Sequence, residues 1–399
     1  MLKDHILKLE TGSRPRGGAL TVGIPSLGGE HLSKDGGFKL SKLKFVSIDY
    51  FNKLKKGIVE ENDILIVKDG ATTGKVSFVG SDFPLTRCAV NEHVYRLVVD
   101  DTINPKYFFY FLFSDLGQNQ MLRDFRGATV GGITKNFLKY LDCEFPSFKE
   151  QKRITKILED ADRLQKNALK LVEEYNALPQ SIFNEMFGNP ILNKSRYETK
   201  QLIEVIDEER PITYGILKPG QDIKPDGVPY IKVVDVRNGE IIKESVCHTT
   251  IEISDKYKRS TLKAGDILFS IRGHVGRTCM VPPMFLGANI TQDTARLACN
   301  ETINPYFLNQ LLQNIHFSRN YQKFIKGAAV KGINLGDLKK LPIIVPPKLL
   351  QEKFAEKILL VEQQKVILKK ELKQSQDLFN CLLQKAFKGE LVENKIVSE

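Results

Sequence analysis

The chain has 399 residues, of which 42% are hydrophobic, 9% aromatic and 27% charged. This length predicts at least two domains, and the composition is typical of folded globular proteins rather than disordered ones. No apolar run approaches the roughly 18 residues that a membrane helix needs, and the N-terminal segment MLKDHILKLE lacks the apolar block of a secretory signal, so we expect a cytoplasmic protein.

Charge and cysteine spacing narrow the possible functions. The 59 lysines and arginines exceed the 48 acidic residues, and the net charge of +11 suits a polyanionic partner such as nucleic acid. This excess alone is weak evidence, because many basic proteins bind no nucleic acid. The six cysteines lie far apart without a Cys-x-x-Cys pair, and the histidines do not cluster, so we expect no metal site and no disulfide framework.

The first half of the chain contains a short strand followed by a glycine-rich turn. The apolar run at residues 64–67 predicts the strand, and the sequence GATTGK at residues 70–75 follows it. This turn approaches a phosphate-binding loop but is one residue short, and Val76 replaces the Ser or Thr that would bind the metal. A turn whose amides and basic side chain meet a DNA phosphate is the favoured interpretation, and a purely structural turn is the alternative.

The next element is a helix that begins at Asn104 and Pro105, before the apolar run YFFYFLF. An Asn-Pro pair resembles part of the Asn-Pro-Pro-aromatic loop of adenine methyltransferases. Here the second proline is missing, and no glycine-rich donor-binding loop precedes the pair. A helix start is therefore the favoured interpretation, since proline is well suited to the first position of a helix.

A long amphipathic helix is predicted from residue 149 to residue 187. Its apolar positions step by three and four residues, which is the heptad pattern of helices that pair with another helix. The predicted stripe consists of Ile154, Ile157, Ala161, Leu164, Ala168, Leu171, Tyr175, Leu178 and Ile182. Pro179 predicts a kink or local break at Leu178, and the Gly-Asn-Pro sequence after Phe187 predicts the end of the helix.

The second half of the chain repeats the first at an offset of 200 residues. The sequence Thr-Ile-Asn-Pro at residues 102–105 returns at 302–305, and GATVGGITKNFLKYL at 127–141 returns as GAAVKGINLGDLKKL at 327–341. The strand and glycine-rich turn also return, as GDILFSIRGHVGRTC at residues 265–279. The chain is therefore a tandem duplication in which each copy has a variable front and a more uniform back.

The second copy ends in a second long helix with the same spacing. Its apolar stripe consists of Phe354, Ile358, Val361, Leu368, Leu372, Phe379, Leu382 and Ala386, with Lys365 and Ser375 as polar interruptions. About 40 residues at 1.5 Å per residue give a rod roughly 60 Å long, which is a spacer rather than a globular core. Two ordinary amphipathic helices, each covering its own domain, remain the alternative.

In combination, these features resemble the specificity subunits of type I restriction-modification systems over essentially the whole chain. The matching segments include TGSRPRGG near the N-terminus, GDILFS with its following Arg-Gly, the Gly-Ala-x-Val-x-Gly-Ile motif of both copies, and the proline step with glutamine into each helix. The resemblance implies an α+β fold with two target-recognition domains in tandem duplication, joined by two long antiparallel coiled-coil helices with pseudo-twofold symmetry. The implied boundaries are 1–146 and 191–346 for the recognition domains, 147–190 and 347–391 for the helices, and 392–399 for a tail.

The resemblance also implies a function and a set of partners. Each domain would read one half of a bipartite double-stranded DNA target, and the helices would set the spacing between the half-sites. The same helices would dock two methyltransferase subunits, and restriction subunits would complete the complex. The chain itself would be non-catalytic and would hold no cofactor, because the methyl-donor and ATP sites belong to those partners. Its helix-pairing residues would include Ile154, Ile157, Ala161, Leu164, Leu171, Leu178, Phe354, Ile358, Val361, Leu368, Leu372 and Leu382.

Candidate DNA-binding residues are the polar and basic side chains of the variable fronts. Reading base edges needs donors and acceptors displayed from a surface that faces a groove, and phosphate contacts need exposed cations. The first copy supplies Ser13, Arg14, Arg16, Lys68, Thr72, Thr73 and Lys75. The second supplies Thr213, Tyr214 and Lys218, at positions that we take as equivalent to the Ser-Arg-Pro-Arg loop, together with Arg272, His274 and Arg277. For any one of them, the alternative is an ordinary solvated side chain.

Two other classes of function remain open. One is a stand-alone methyltransferase fused to its DNA-reading domains, which the missing donor loop disfavours. The other is a coiled-coil scaffold, or an antitoxin-like binder, in which the globular parts hold protein. A steep loss of DNA affinity with rising salt would separate a DNA reader from a protein scaffold.

Overall fold

The computed structural model describes residues 2–127, 131–327 and 331–391. The chain divides into two compact units: unit 1 comprises Met1–Leu169 with Lys370–Glu399, and unit 2 comprises Lys170–Lys369. The middle of the repeated Gly-Ala-x-Val motif and the predicted 392–399 tail lie outside the described residues.

Unit 1 contains seven strands and three short helices within its described residues. The strands are β1 (Ile6–Thr11), β2 (Ile24–Leu27), β3 (Lys44–Val46), β4 (Ile64–Val67), β5 (Val76–Phe78), β6 (Ala89–Val90) and β7 (Val94–Val99). The short helices are α1 (Ile48–Asn52), α2 (Pro105–Phe113) and α3 (Asp115–Met121), and the long helix α4 (Phe148–Phe187) begins in this unit.

Two sheets form the front of unit 1. One is antiparallel with the order β1-β7-β4-β5, and the other has the order β3-β2-β6 with β2 and β6 parallel. Every residue of β4 is buried, which confirms the strand predicted from the apolar run at residues 64–67. The aromatic face of α2, including Tyr107 and Phe111, joins β4, β5 and β7 in the largest core of the unit.

Unit 2 has a longer set of elements. Its strands are β8 (Glu198–Gln201), β9 (Thr213–Tyr214), β10 (Val228–Ile231), β11 (Val236–Arg237), β12 (Glu240–Ile241), β13 (Cys247–Thr249), β14 (Ile267–Ser270), β15 (Thr278–Met280), β16 (Asn289–Ile290), β17 (Thr294–Leu297) and β18 (Pro342–Val345). Its helices are α5 (Ile251–Lys256), α6 (Pro305–Gln313), α7 (Ile315–Gln322), α8 (Leu335–Lys339) and the beginning of α9 (Lys348–Phe387).

Unit 2 repeats the sheet topology of unit 1. The antiparallel order β15-β14-β17-β9 corresponds to β5-β4-β7-β1, and the order β13-β10-β16 corresponds to β3-β2-β6. Unit 2 adds a small hairpin, β11 with β12, and a pair formed by β8 and β18. The tandem duplication predicted from the sequence is thus present as two copies of one α+β fold, and the predicted fold class is confirmed.

The two Asn-Pro pairs are helix starts, as predicted. The Asn104 side chain accepts a hydrogen bond from the Tyr107 amide, and the Asn304 side chain accepts one from the Tyr306 amide. Each following proline occupies the first turn of its helix. An asparagine cap satisfies an amide that the helix leaves unpaired, so these residues are explained by local structure.

The long helices have nearly the predicted bounds, with one correction at Pro179. Helix α4 runs without a break from Phe148 to Phe187, so the break predicted at Leu178 is wrong. A proline removes one amide donor from a helix, but the Pro179 ring is buried, and apolar packing offsets part of that cost. The helix ends where predicted, with Gly188 at φ +70°.

Each unit builds its core from parts of both long helices. In unit 1, Ile154 and Leu158 near the start of α4 share a core with Phe379 and Leu383 near the end of α9. In unit 2, Phe183 near the end of α4 lies 5.8 Å from Phe354 near the start of α9, measured between ring centroids. Within each unit, therefore, segments of both long helices contribute to one core.

The buried stripe of α9 agrees with the sequence. Phe354, Ile358 and Val361 are buried, and Leu368, Leu372 and Leu382 are half-buried. The two polar interruptions, Lys365 and Ser375, are buried as well, at 7% and 6% exposure. These residues follow the heptad spacing that the sequence predicted.

The buried stripe of α4 needs correction. Ile154 and Ala161 are buried, and Ile157 and Leu178 are half-buried, but Leu164 and Leu171 are 51% and 42% exposed. The prediction that Leu164 and Leu171 are buried in the stripe of α4 is therefore wrong. Several buried residues lie one position after a predicted residue, and they include Leu158, Val172, Pro179 and Phe183. Both sets of positions are largely apolar, so the spacing alone could not tell which one faces inward.

No helix among the described residues combines the length and the apolar character that a bilayer span requires.

Candidate nucleic-acid interface

The glycine-rich turns after β4 and β14 have the same backbone design in both units. The Gly74 amide donates to the Val67 carbonyl over 2.9 Å, and the Gly276 amide donates to the Ser270 carbonyl over the same distance. Both glycines have φ near +90°, a conformation that other residues rarely adopt. A Cβ on Gly276 would also lie 2.3 Å from the Tyr321 hydroxyl, so this glycine allows the turn to pack against α7.

The described ends of the repeated motif, at residues 126–127 and 131–133 and at 326–327 and 331–333, lie against these turns. Residues 126 and 132 exchange two backbone hydrogen bonds of 2.9 Å, and residues 326 and 332 do the same. From the motif, the Gly131 carbonyl accepts from the Gly70 amide over 3.0 Å, and the Lys331 carbonyl accepts from the Gly273 amide over 2.9 Å. Two glycine-containing segments that are distant in sequence therefore form one surface in each unit.

A chain of charged side chains joins the two predicted DNA-binding groups of unit 1. Arg14 Nε lies 3.1 Å from Glu92 Oε1, and Glu92 Oε1 lies 3.3 Å from His93 Nε2. His93 Nδ1 lies 2.5 Å from Asp69 Oδ1, and Asp69 Oδ2 lies 3.3 Å from Lys68 Nζ. The loops after β1, after β4 and before β7 thus meet at one surface.

The other unit 1 candidates lie on the same loops. The Ser13 hydroxyl is 2.7 Å from the Tyr50 hydroxyl, and Arg16 is exposed. Thr72 is half-buried, and the Thr73 hydroxyl donates to the Gly70 carbonyl over 2.7 Å, which gives Thr73 a structural role in the turn. Each of these positions is close in sequence to a member of this network of side-chain contacts, but among the predicted residues only Arg14 and Lys68 belong to the network.

Lys75 and Arg277 occupy equivalent places at the ends of the two turns. The Lys75 ammonium donates to the Leu32 carbonyl, and the Arg277 guanidinium donates to the Val236 carbonyl, each over 3.4 Å. Burial lowers the pKa of Lys75, and the positive charges of Lys39 and Lys34 lower it further. These three lysines create a local excess of positive charge beside the turn.

In unit 2, the structure separates the predicted residues into two groups. Arg272 and His274 are exposed on the turn, and Arg272 NH1 lies 3.9 Å from Asp293 Oδ1. Tyr214 belongs to β9, where the Arg259 guanidinium lies 5.9 Å from its ring centroid. Lys218 is exposed beyond that strand.

Thr213 requires a correction. It lies inside β9, is 8% exposed and donates from its hydroxyl to the Tyr214 carbonyl over 3.1 Å. Tyr214 pairs with Ala295 as Thr11 pairs with Tyr95, so Tyr214 is equivalent to Thr11. The loop equivalent to the Ser-Arg-Pro-Arg segment therefore begins at Ile216, and the predicted alignment was placed too early in the chain.

Sequence reasoning missed the acidic and histidine members of the unit 1 surface, Asp69, Glu92 and His93. It also passed over two exposed cations of the repeated motif, Arg126 and Lys331. The repeated motif carried a signal for the last two, because Arg126 directly precedes it in the first copy and Lys331 lies within it in the second. Nothing local marks Glu92, since its partner Arg14 lies far away in the sequence.

The described residues contain no group of three or more His, Cys, Asp or Glu side chains placed to hold a metal ion. Burial raises the pKa of Cys88, Cys279 and Cys299 to about 12, which keeps these thiols protonated and poorly reactive near neutral pH.

Comparison with known proteins agrees with the duplicated architecture. Residues 22–174 and 194–386 each match the family described as the type I restriction modification DNA specificity domain. The chain is 25% identical over 347 residues to the MjaVIII specificity subunit of a type I restriction enzyme from Methanocaldococcus jannaschii, covering 83% of this chain and 78% of that protein. It is 30% identical over 212 residues to the EcoBI specificity subunit from Escherichia coli, covering 52% of this chain and 44% of that protein.

Solved structures show the same fold. The S subunit of a type I restriction-modification system from M. genitalium superposes with a TM-score of 0.58 at 18% identity, covering 97% of this chain and 94% of that chain. A chain from a structure describing assembly and conformational transition of the type I R-M system gives a TM-score of 0.57 at 16% identity, covering 98% and 97%. Because the family match spans most of both copies, this chain belongs to the type I restriction-modification DNA specificity family.

Proposed function

We propose that this chain is the DNA-specificity subunit of a type I restriction-modification complex and acts in the cytoplasm. Each recognition domain, at residues 1–146 and 191–346, reads one half of a bipartite double-stranded DNA target. The observation that carries this proposal is the repetition of one backbone surface with different side chains. In both units a glycine-rich turn bonds to the repeated motif, but the charged side chains on the turn differ. Two different recognition surfaces on one scaffold suit a target with two different halves.

The charge at these turns supports DNA as the ligand. Burial lowers the pKa of Lys75, and repulsion from the charges of Lys39 and Lys34 lowers it further. A DNA phosphate placed among these lysines would relieve that repulsion. Arg16 in unit 1 and Lys218 and His274 in unit 2 are exposed, and we propose that they contribute DNA contacts, together with Ser13, Thr72 and Tyr214.

We propose that α4 and α9, over residues 147–190 and 347–391, set the distance between the two half-sites. Each helix has 40 residues. At 1.5 Å per residue, such a helix is roughly 60 Å long. Inserting one heptad into both helices should therefore lengthen the spacer in the DNA target and leave both half-sites intact. An unchanged spacer would contradict this role.

Partner subunits are proposed to dock on the outer face of the long helices. Four aliphatic side chains are exposed within residues 359–367 of α9, namely Leu359, Leu360, Val366 and Ile367, with Val366 at 70% exposure. Contiguous exposed apolar surface is typical of protein interaction sites. We propose two methyltransferase subunits as the occupants of the helices, with restriction subunits joining that assembly and with all chemistry performed by these partners.

This docking proposal has a direct test. Replacing Leu360 and Val366 with Glu should abolish co-purification of the methyltransferase subunit, because charges would be buried against an apolar partner surface. Leu286→Glu is the control, since Leu286 is also exposed but lies outside the long helices. If the helix variant still co-purifies, the partner binds elsewhere.

The experiment that tests the DNA-reading function is a domain exchange. The chain is expressed with its methyltransferase subunits, and methylated sites are mapped across the genome with residues 191–346 native or replaced by another recognition domain. One half-site should change, while the other half-site and the spacer remain. Methylation of the same target after the exchange would contradict the proposal, and methyl transfer by the purified chain alone would favour a fused enzyme instead.

A further inference from the structure

The two units carry a side-chain pair at the same place with its acidic member on opposite sides. In unit 1, Asp69 on the turn contacts His93 on the loop before β7, with 2.5 Å between Oδ1 and Nδ1. In unit 2, Arg272 on the turn faces Asp293 on the loop before β17, with 3.9 Å between NH1 and Oδ1. The acidic side chain is thus on the turn in one unit and on the loop in the other.

The equivalence of these positions rests on the backbone. Asp69 forms an isolated antiparallel bridge with Gly132, and Arg272 forms the same bridge with Gly332. The preceding residues also match, because the Ile133 amide donates to the Lys68 carbonyl over 2.8 Å and the Ile333 amide donates to the Ile271 carbonyl over 2.9 Å. Only the side chains differ between the two pairs.

The surroundings of the pair differ as well. In unit 1, Glu92 Oε1 lies 3.3 Å from the second ring nitrogen of His93, and Arg14 binds Glu92. In unit 2, Gln292 stands at the position of Glu92, and the strand pairing places Leu217 at the position of Arg14. Unit 1 therefore has two carboxylates at this place, each paired with a cation, and unit 2 has one guanidinium beside a single carboxylate.

A purely structural role explains this exchange poorly. The Arg272 side chain is 56% exposed, and its 3.9 Å separation from Asp293 is longer than a hydrogen bond, so the pair adds little to stability. In unit 1, the His93 side chain is 43% exposed. Both pairs sit on loops whose backbone hydrogen bonds already close the turn, so the fold does not depend on which side chain is acidic.

We propose that this exchanged pair determines one base in each half-site. The proposal rests on the DNA-reading function proposed above. Arg272 would leave Asp293 and donate two hydrogen bonds to O6 and N7 of guanine, which is the contact that arginine makes best in the major groove. Asp69 would accept a hydrogen bond from an exocyclic amine, that of cytosine in the first place. His93 and Asp293 lie beside these proposed reading groups.

The main test exchanges the charges of the unit 1 pair to imitate unit 2. The variant Asp69→Arg with His93→Asp is expressed with its methyltransferase subunits, and methylated sites are mapped. One position in the half-site read by unit 1 should change from an amine-bearing base to guanine, with the preference shifted by roughly 5- to 150-fold. The other half-site and the spacer should remain unchanged.

Strands β1 and β7 provide a matched control at their other ends. His5 Nδ1 lies 3.0 Å from Asp100 Oδ2, before β1 and after β7, and so at the opposite ends of these strands from Arg14 and His93. The variant His5→Asp with Asp100→Arg introduces the same types of residue there. It should leave the methylated sequence unchanged.

A second variant keeps the proposal testable if the double variant of unit 1 fails to fold. Arg272→Gln replaces one exposed side chain, and glutamine pairs best with adenine, so the base read by unit 2 at this position should change from guanine towards adenine. Retention of the native half-sites by both variants, with methylation intact, would overturn the pair as a determinant of specificity. That result would leave the DNA-reading function standing, whereas a native chain that directs no sequence-specific methylation would remove the function itself.

Discussion

Arg96 of unit 1 and Arg296 of unit 2 occupy the same place in the same strand pair but have different partners. Arg96 is opposite Leu65, and Arg296 is opposite Leu268. Arg96 Nε lies 2.5 Å from the buried carboxylate of Asp63, whereas Arg296 donates to the carbonyls of Pro211 and Thr261 over 2.9 and 3.4 Å.

The carboxylate equivalent to Asp63 is Asp266, and another arginine binds it. Arg210 contacts Asp266 through both terminal nitrogens, at 2.7 and 2.6 Å. Burial lowers the pKa of Arg296, and the charge of Arg210 lowers it further. One backbone therefore accepts two arrangements of buried charge, provided that each carboxylate retains an arginine.

The junction between each recognition domain and its long helix shows the opposite behaviour. The Asn104 amide donates to Gln151 Oε1 over 2.8 Å, and the Asn304 amide donates to Gln351 Oε1 over 2.7 Å. Each glutamine also donates to a Thr carbonyl and to a Pro carbonyl of its own unit. The two recognition domains differ in their loops, but this junction is the same in both. One backbone amide and two backbone carbonyls meet there, and a glutamine side chain can accept from the first and donate to the other two.

The largest effect is expected from the aromatic residues at equivalent places in the two cores. The Tyr107 ring centroid lies 5.2 Å from that of Phe387, and the Phe307 centroid lies 4.8 Å from that of Phe187. Tyr107→Ala and Phe307→Ala should each lower the free energy of unfolding by about 4 kcal/mol through the cavity left behind. Hydrogen exchange should lose protection in unit 1 for the first and in unit 2 for the second. Equal loss in both units would show that the cores are not separate.

The next effect distinguishes the two arginines. Arg96→Met should cost about 3 kcal/mol in urea unfolding, because Asp63 loses its buried partner. Arg296→Met should cost about 1 kcal/mol, because only carbonyl acceptors lose a donor. Equal costs would mean that Asp63 does not depend on Arg96.

The cost of Arg96→Met should also depend on pH. Burial raises the pKa of Asp63, so the folded state favours the protonated carboxyl more than the unfolded chain does. The stability that protonation contributes is fully present below the unfolded pKa and is lost as the pH rises through the folded pKa. The hydrogen bond and the charge of Arg96 act against burial and lower the pKa of Asp63, so Arg96→Met removes a stabilisation that exists only while this carboxyl is ionised. Urea unfolding should therefore show the smallest cost in acid and the full cost at neutral pH. A cost that is the same at all pH values would contradict this assignment.

The junction glutamines should behave alike. Gln151→Ala and Gln351→Ala each leave three backbone groups without a partner, and each should cost about 2 kcal/mol in urea unfolding. Gln363→Ala is the control, because Gln363 is exposed on α9 and should cost close to nothing. A large difference between the two junction variants would show that the junctions are less equivalent than their hydrogen bonds.

The smallest effect concerns a phosphate contact. Lys75→Ala should weaken DNA binding about equally for all sequences and reduce the slope of log affinity against log salt by about 1, since one cation is removed. The measurement is a binding titration at several salt concentrations. A change in the preferred sequence would instead place Lys75 against the bases.

Features that depend on short stretches of sequence were predictable. Asn-Pro followed by an apolar run contains both the cap and the first helical residue, so α2 and α6 could be placed with their starts. The duplication and the two long helices were predictable for a related reason. Repetition and heptad spacing are properties of the sequence itself, whatever the chain packs against.

Tertiary structure alone decided which residues meet. On α4, two neighbouring stripes are both largely apolar, and packing within each unit turned Leu158 and Val172 inward while Leu164 and Leu171 stayed exposed. At the candidate DNA surface, Arg14, Lys68 and Glu92 come from separate loops, and strand pairing brings them together. The sequence by itself determined the elements and their order, because these depend on local spacing. Strand register and helix packing decided the charge pattern of the surface, because those contacts join residues far apart along the chain.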